Sequence, residues 1–379
     1  LASSARGDLE WIVGIYFFHE NADRFSVIHD PEVFDAAALE AGLPFGMENG
    51  LPLGFVVGGD ATTDSLALFG QLTYDLVDTL HLTLGLRYSW DEKSSDDIRS
   101  SDAFANVDLH ASPKEEWREP TGKLGIAWDA GNDTMLYATL SRGYKSGGIN
   151  QTSPQAAVYD PEFLNAVEIG AKNSLLDNRL QINAAAYYTK IDDLQVVTFG
   201  HSGSLIENAA EATISGLEVE FIYLPVSSVI VDGSIAVMDA TYDEFATTDP
   251  LNTPAGIQDL SGNTMNRAPD NLFSLGAQFQ WAFLRSTLTL RGEYFYQSEV
   301  FYRPFNEDAA KADSYENVNL RLMLEADSNK WNAEIFVHNL TDEDQVANIL
   351  RAIPAYAGLP LTTFKAPRQI GLRVGYRWK

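Results

Sequence analysis

Residues 80–91 read LHLTLGLRYSWD, and the run has two faces. Leu80, Leu82, Leu84, Leu86, Tyr88 and Trp90 fall on one side of a period-two strand; His81, Thr83, Gly85, Arg87, Ser89 and Asp91 fall on the other. An aliphatic band ending in two aromatic rings predicts a strand that crosses a bilayer and surfaces at the headgroup layer. The pattern recurs in QIGLRVGYRW, where Ile370, Leu372, Val374, Tyr376 and Trp378 alternate with Gln369, Gly371, Arg373, Gly375 and Arg377. Here Gly371 and Gly375 are expected to leave the inner face uncrowded. In WNAEIFVHNL, Trp331, Ala333, Ile335 and Val337 oppose Asn332, Glu334, Phe336 and His338. Phe336 is an apolar residue on the expected wet side, tolerable if other matter fills the lumen.

Alternation and turn chemistry together predict about fourteen strands. Those running one way lie at 9–19, 80–93, 134–146, 179–198, 229–244, 286–301 and 331–340; their partners lie at 63–75, 116–128, 163–175, 212–224, 271–281, 314–325 and 367–378. The connections alternate in length. Short ones fall at 76–79, 129–133, 176–178, 225–228, 282–285 and 326–330; mostly longer ones fall at 20–62, 94–115, 147–162, 245–270, 302–313 and 341–366. Short turns on one side and long loops on the other describe an all-β fold, a transmembrane antiparallel up-and-down β-barrel. No repeat period points to a propeller or solenoid. No linker divides the chain, so residues 1–379 read as one architecture.

Composition narrows the function. The longest apolar stretch falls short of a spanning helix, and the mean hydropathy of −0.15 is what alternating lipid-facing and water-facing residues average to. There is no cysteine, which removes disulfides, thiolate ligands and thiol catalysis. A net charge of −27 argues against a nucleic-acid partner. Much of the acid lies in expected loops, at 91–97, 239–245 and 341–344. The N-terminus LASSARGDLEW is not a secretory signal, and the text enters an amphipathic strand almost at once, so the sequence is expected to lack its beginning. His19, His29, His81, His110, His201 and His338 are scattered without metal-ligand spacing, so no metal or cofactor is expected. No nucleophile, base and carboxylate constellation signals an enzyme. Mixed charges on the inner face, such as Arg87, Lys123, Arg291 and Arg321 beside Glu168, Glu293 and Glu334, read first as cross-strand pairs.

Four fragments in order carry a resemblance. LYATLSRGYKSGGIN (136–150), AVEIGAKNSLLDNRLQINAAAYYTKIDDLQV (166–196), NAAEATISGLEVEF (208–221) and VHNLTDED, followed by a last strand ending in Tyr376 and Trp378, resemble the TonB-dependent outer-membrane receptors. That resemblance implies a barrel of about 22 strands, of which this sequence would hold the C-terminal portion, an incomplete barrel without roughly eight strands. The N-terminal plug and the segment that engages TonB would also lie outside it. Gly371, Tyr376 and Trp378 resemble the signal read by the barrel-assembly machinery, with Lys379 as an extra residue.

The family implies localisation in the outer membrane of a Gram-negative bacterium and TonB-energised uptake of a bulky, scarce nutrient, most often a ferric siderophore. Outer-membrane lipid, lipopolysaccharide, TonB and the iron chelate would be its partners. Aromatic and basic residues at upper strand ends and in long loops are the candidates for capture: Tyr144, Tyr159, Phe199, Tyr242, Phe301, Tyr302, Arg303, Phe305, Arg351 and Tyr356. Rings offer stacking area, and arginine forks to anionic oxygens. A passive porin and a soluble surface adhesin are the alternatives; steady conductance would mark the first and folding in water without detergent the second.

Overall fold

The structure, a computed structural model, describes residues 2–28, 47–48, 51–52, 55–102, 107–200, 203–249, 251–328, 330–351 and 359–378. Eighteen strands form one sheet among the described residues; three are short strands of the long connections, Ile98–Asp102, Val107–Ala111 and Ile257–Asp259, and the other fifteen are β1 (Ala2–Arg6), β2 (Leu9–Ile28), β3 (Phe55–Val77), β4 (Leu80–Ser94), β5 (Lys114–Asp129), β6 (Thr134–Lys145), β7 (Glu162–Leu175), β8 (Leu180–Gly200), β9 (Gly203–Val226), β10 (Val229–Thr248), β11 (Asn271–Phe283), β12 (Ser286–Gln297), β13 (Tyr315–Ala326), β14 (Trp331–His338) and β15 (Gln369–Tyr376). Each pairs antiparallel with the next in sequence. Among the described residues the only helical elements are three short 3-10 turns, and no ladder joins β1 to β15.

All the predicted strands are present, with β1 in addition. Several are longer than the alternation suggested. β2 and β3 stay paired up to Ile28 and Phe55, because backbone pairing continues after the side chains turn polar, where hydrophobic alternation no longer reports it. The short turns use backbone that alternation cannot show either: Leu176, Asp177 and Asn178 all have φ between 56° and 63°, the conformation that Asn and Asp tolerate best.

The face assignment holds across the sheet. Leu84 sits opposite Leu72 on β3 and Leu124 on β5, and Leu86 opposite Gly70 and Gly122. Ile15 is 72% exposed, Leu86 63% and Ile370 73%. A continuous apolar face open to this degree has bilayer, not water, as its solvent. Trp11, Tyr74, Trp128, Trp281, Trp331 and Tyr376 fall on this face near the short turns and form one aromatic girdle. Tyr88 and Tyr188, farther up, belong to the other.

The inner face is polar and knit across strands. Arg291 forks to Asp232 at 2.7 and 2.9 Å and gives its Nε to Glu293 at 2.8 Å; Arg321 reaches the same Glu293 at 2.7 Å. Gly276 makes room for this fork, since a Cβ there would lie 2.6 Å from both Arg291 Nη2 and Asp232 Oδ2. Arg373 reaches Glu334 at 2.7 Å. Near the short turns His81 bridges Asp75 and Asp129, at 2.5 and 3.1 Å.

One expectation is corrected. Gly371 and Gly375 do not leave open space: the far end of the Phe336 ring lies against Gly371, where a Cβ would meet Cε2 at 2.8 Å, the Asn332 amide lies against Gly375, where a Cβ would meet Oδ1 at 2.6 Å, and Arg373 covers the Phe336 ring at 5.7 Å. Phe336 therefore needs no other matter in the lumen to cover it. Tyr137 over Gly170 and Tyr187 over Gly216 repeat the device, an aromatic ring filling the gap left by a glycine on the neighbouring strand.

Candidate functional site

Above the apolar band the long connections build the only sizeable apolar clusters among the described residues. Ile191 and Val196 of β8, Ala210 and Ala212 of β9, Tyr242 and Phe245 of β10 and Leu260 from the following loop are all buried together. Phe305 and Met265 pack against them. Tyr242 is 3% exposed, with its ring 5.0 Å from that of Phe245. It is a core residue of the loop cluster.

The connection from β12 to β13 folds back through a small ladder, Val300–Phe301 with Lys311–Ala312. Arg303 sits at its tip, 7% exposed and 4.6 Å over the ring of Phe305. Its Nη2 donates to Asp249 Oδ1 at 2.5 Å and its Nη1 to Glu307, while Arg351 Nη1 binds the other oxygen of Glu307 at 2.5 Å. Asp249 follows β10 and Arg351 lies between β14 and β15, so one buried ion network ties three connections together. Neutral contacts reinforce it. Asn306 exchanges hydrogen bonds with the backbone of Thr264 at 2.7 and 2.9 Å, and Asn263 donates to the Pro304 carbonyl at 2.9 Å. Tyr302 donates to the Ala347 carbonyl at 3.1 Å beneath the Arg267 guanidinium, 5.2 Å from its ring. Burial pushes the Tyr302 phenol up against the opposing pull of Arg267.

A second group forms in the connection from β6 to β7. Tyr144 lies 5.9 Å from Phe163 and donates to Asp91 Oδ2 at 3.1 Å. Tyr159 closes on Gly148, where a Cβ would come within 2.9 Å of its Cε1, and the indole of Trp117 fills the space beside Gly147, 2.5 Å from where a Cβ would stand. The paired glycines after Tyr144 are thus a packing requirement. Burial raises the Tyr159 phenol. Asn150 clamps Ile206 on β9 through its N–H and carbonyl, both at 2.9 Å; Gln151 donates to the carbonyls of Ala22 on β2 at 3.2 Å and Gly59 on β3 at 3.1 Å. This connection therefore bridges strands that are not neighbours. Asn208 joins it to β9, receiving the Asp160 amide at 2.6 Å and donating to the Asp160 and Asp193 carbonyls at 2.8 and 2.9 Å.

Of the residues picked from sequence, Tyr242, Phe301, Tyr302, Arg303, Phe305 and Arg351 come together in the first group, and Tyr144 and Tyr159 in the second. The side chain of Phe199, at the tip of β8, and all of Tyr356 lie outside the described residues. Gly371 and Tyr376 lie on opposite faces of β15, with Trp378 just beyond it, 4.7 Å from Tyr376. Sequence reasoning missed Asp249, Glu307, Asn150 and Asn208, and with them Gln195, whose side-chain amide donates to the Ser146 and Asp160 carbonyls, both at 3.0 Å. The first two hid within a general excess of acid, whereas Gln195 and Asn208 stand inside fragments that carried the resemblance. Among the described residues no group of three His, Cys, Asp or Glu side chains is arranged to hold a metal.

The profile of the family described as TonB dependent receptor-like, beta-barrel, matches residues 3–340. The chain belongs to the TonB-dependent receptor β-barrel family. A TonB-dependent barrel is a protein of the Gram-negative outer membrane, in keeping with the lipid face above. The chain is 28% identical over 166 residues to the pesticin receptor of Yersinia enterocolitica serotype O:8, covering 43% of this chain and 24% of that protein. Among solved structures, the ferric yersiniabactin uptake receptor FyuA from Yersinia pestis superimposes with a TM-score of 0.80 at 18% identity, over 98% of this chain and 51% of that one. The closed form of the ferric-catecholate import receptor Fiu from K12 E. coli gives 0.69 at 16% identity, over 98% and 52%. The chain spans about half the length of these solved TonB-dependent receptors.

Proposed function

We propose that this chain is the C-terminal portion of the barrel of a TonB-energised receptor that imports a bulky, scarce nutrient, a ferric siderophore, across the outer membrane. The observation that carries the reading is the family match joined to the long connections. They gather aromatic and arginine side chains into rigid, tied clusters on the side away from the short turns, where a ligand arriving from outside would meet them. Supporting it, FyuA is named as a ferric yersiniabactin uptake receptor and Fiu as a ferric-catecholate import receptor, and the pesticin receptor is a receptor by name.

In this reading Tyr144, Tyr159, Phe199, Phe301, Tyr302, Arg351 and Tyr356 supply the capture surface. Tyr242, Arg303 and Phe305 hold it in shape from beneath. The plug and the TonB-engaging segment belong to the rest of the receptor, outer-membrane lipid and lipopolysaccharide surround the apolar band, and Gly371, Tyr376 and Trp378 present the last strand to the assembly machinery.

The test is uptake of radioactive iron, presented as a panel of ferric siderophores, by cells making the intact protein with and without TonB. Accumulation of one chelate that needs TonB supports the reading. Uptake that ignores TonB, or steady ion conductance in planar bilayers, refutes it.

A further inference from the structure

The short turns are not alike. Those at 130–133 and 327–330 are rich in Asn, Asp, Ser and Gly, as turns standing in water should be. Three consecutive ones, between β7 and β12, put an aliphatic side chain at the tip instead: Leu176, Val226 and Leu284, all exposed. A single exposed leucine is ordinary on a protein surface. These leucines are not, because Leu176 and Leu284 stand at φ 56° and 58°, left-handed backbone that Asn or Gly adopts with less strain. Leu284 is 91% exposed, so no packing within the described residues offsets that backbone.

Arginine accompanies both leucines. Arg179 gives its Nε to the Leu176 carbonyl at 3.1 Å, and Arg285 follows Leu284 directly. Both arginines are exposed. Neither forms an ion pair among the described residues, although Asp177 shares the turn with the first and the Asp327 amide donates to the backbone carbonyl of the second at 3.1 Å. In a chain of net charge −27, guanidinium groups left open beside aliphatic tips match a surface that is apolar and anionic at once. Such a surface is within reach. Headgroups extend roughly 5–8 Å beyond the hydrocarbon on each side, and Leu284 stands three residues past Trp281 of the girdle, about 8 Å along a strand tilted near 40°. Phe283, exposed on the lipid face, carries the girdle down to the tip.

We infer that the turns at 176–179, 226–229 and 283–286 form a lipid-binding rim. Leu176, Val226 and Leu284 sink into the leaflet on the short-turn side, and Arg179 and Arg285 meet the phosphate of an anionic lipid there. The occupant is lipid because the rim continues the apolar band and girdle without a break. The inference requires a barrel in a membrane and is independent of what the barrel carries.

The intact protein is reconstituted in phosphatidylcholine vesicles with and without phosphatidylglycerol. This chain has no cysteine, so Leu284→Cys, Leu176→Cys and, as the polar-turn control, Asn132→Cys each take one nitroxide label, with any cysteine elsewhere in the protein changed to serine. Labels at 284 and 176 should show a ratio of contact with dissolved oxygen to contact with a water-soluble nickel chelate several-fold above that of the label at 132. Leu284→Asn should lower the urea midpoint even though it relaxes the backbone, and Arg179→Gln/Arg285→Gln should abolish the rise in midpoint that phosphatidylglycerol gives the wild type. A label at 284 as open to the chelate as the one at 132 places the turn in water and overturns the inference, and so does a raised midpoint for Leu284→Asn. A wild type indifferent to phosphatidylglycerol, or a Gln variant that keeps its full effect, overturns the role given to the arginines.

Discussion

Leu84→Arg and Thr83→Arg differ by one position on β4 and should differ greatly in cost. Leu84 is four residues above the short-turn end of the strand, and at roughly 3.3 Å per residue and a tilt near 40° it stands about 10 Å into an apolar band about 25 Å tall. It is 38% exposed, with Leu72 and Leu124 as its cross-strand neighbours. An arginine there meets acyl chains near the midplane, at a cost of about 2–4 kcal/mol. Thr83 points the other way, its hydroxyl 3.2 Å from that of Thr73. Losing that bond costs about 1 kcal/mol, and the new guanidinium enters water. The gap, about 2 kcal/mol, is roughly thirtyfold in the folding equilibrium. Reversible urea unfolding of the intact protein in lipid vesicles measures it, comparing midpoints at constant slope. Equal costs for the two variants would refute the assignment of faces.

Arg303→Met should strip Asp249 and half of Glu307 of their partner and cost about 3 kcal/mol of local stability, seen as faster hydrogen exchange in 245–265 and 298–312 with the barrel strands unchanged; Asp249→Asn in the same chain should recover part of it, and unchanged exchange would show the network to be slack. His110 lies on the strand Val107–Ala111, which pairs with Ile98–Asp102 as an outer hairpin; its ring is 2.8 Å from Asp97 and 3.3 Å from Asp108, and the Asp97 hydrogen bond raises its pKa above the ordinary histidine value. Its support for that hairpin is therefore full below about pH 6.5 and is lost as pH rises through the raised value. Exchange at 98–111 should accelerate with pH beyond the intrinsic rate, and His110→Gln should remove that excess. Gly371→Val should drive Phe336 off β15 and destabilise by about 1–3 kcal/mol in urea, and Phe336→Ala should restore much of the loss; failure of the second change to help would separate the two residues.

Much of the fold was legible because the bilayer enforces a period. Leu80 through Trp90 alternate because one face is apolar along its whole length, and with lipid as the solvent of that face the same constraint located each of the fourteen predicted strands. What it could not mark is what the bilayer does not touch. The upper reaches of β2 and β3 pair through backbone and polar side chains, such as His19 with Asp64 at 2.7 Å and Thr62 with Asn21 at 2.9 Å, and β1 is too short to show a period. Chemistry was partly legible for a related reason. Tyr302, Arg303 and Phe305 advertise themselves as large side chains in a loop, but whether such a residue faces solvent or seals a cluster depends on chain segments far away in sequence. Arg303 is sealed because Asp249 lies 2.5 Å from it, a meeting across 54 residues that no local pattern announces. Gly147 and Gly148 were visible as a motif, yet their reason, the rings of Trp117 and Tyr159, appears only when the β6–β7 connection is folded on itself and against the upper end of β5.

The two halves of the inner wall answer different demands. Arg291, with Asp232 and Glu293 on neighbouring positions and Gly276 beneath, is fully engaged, so changing it removes charged hydrogen bonds worth about 1.5–3 kcal/mol each and leaves carboxylates without a partner. That wall is built to hold the sheet, and its charges are spent on one another. Arg87 is engaged more lightly among the described residues, with the Ser89 hydroxyl at 2.9 Å and the Tyr16 ring at 5.2 Å, so Arg87→Gln should cost the sheet less than Arg291→Gln, and equal losses in urea unfolding would refute that division of the wall.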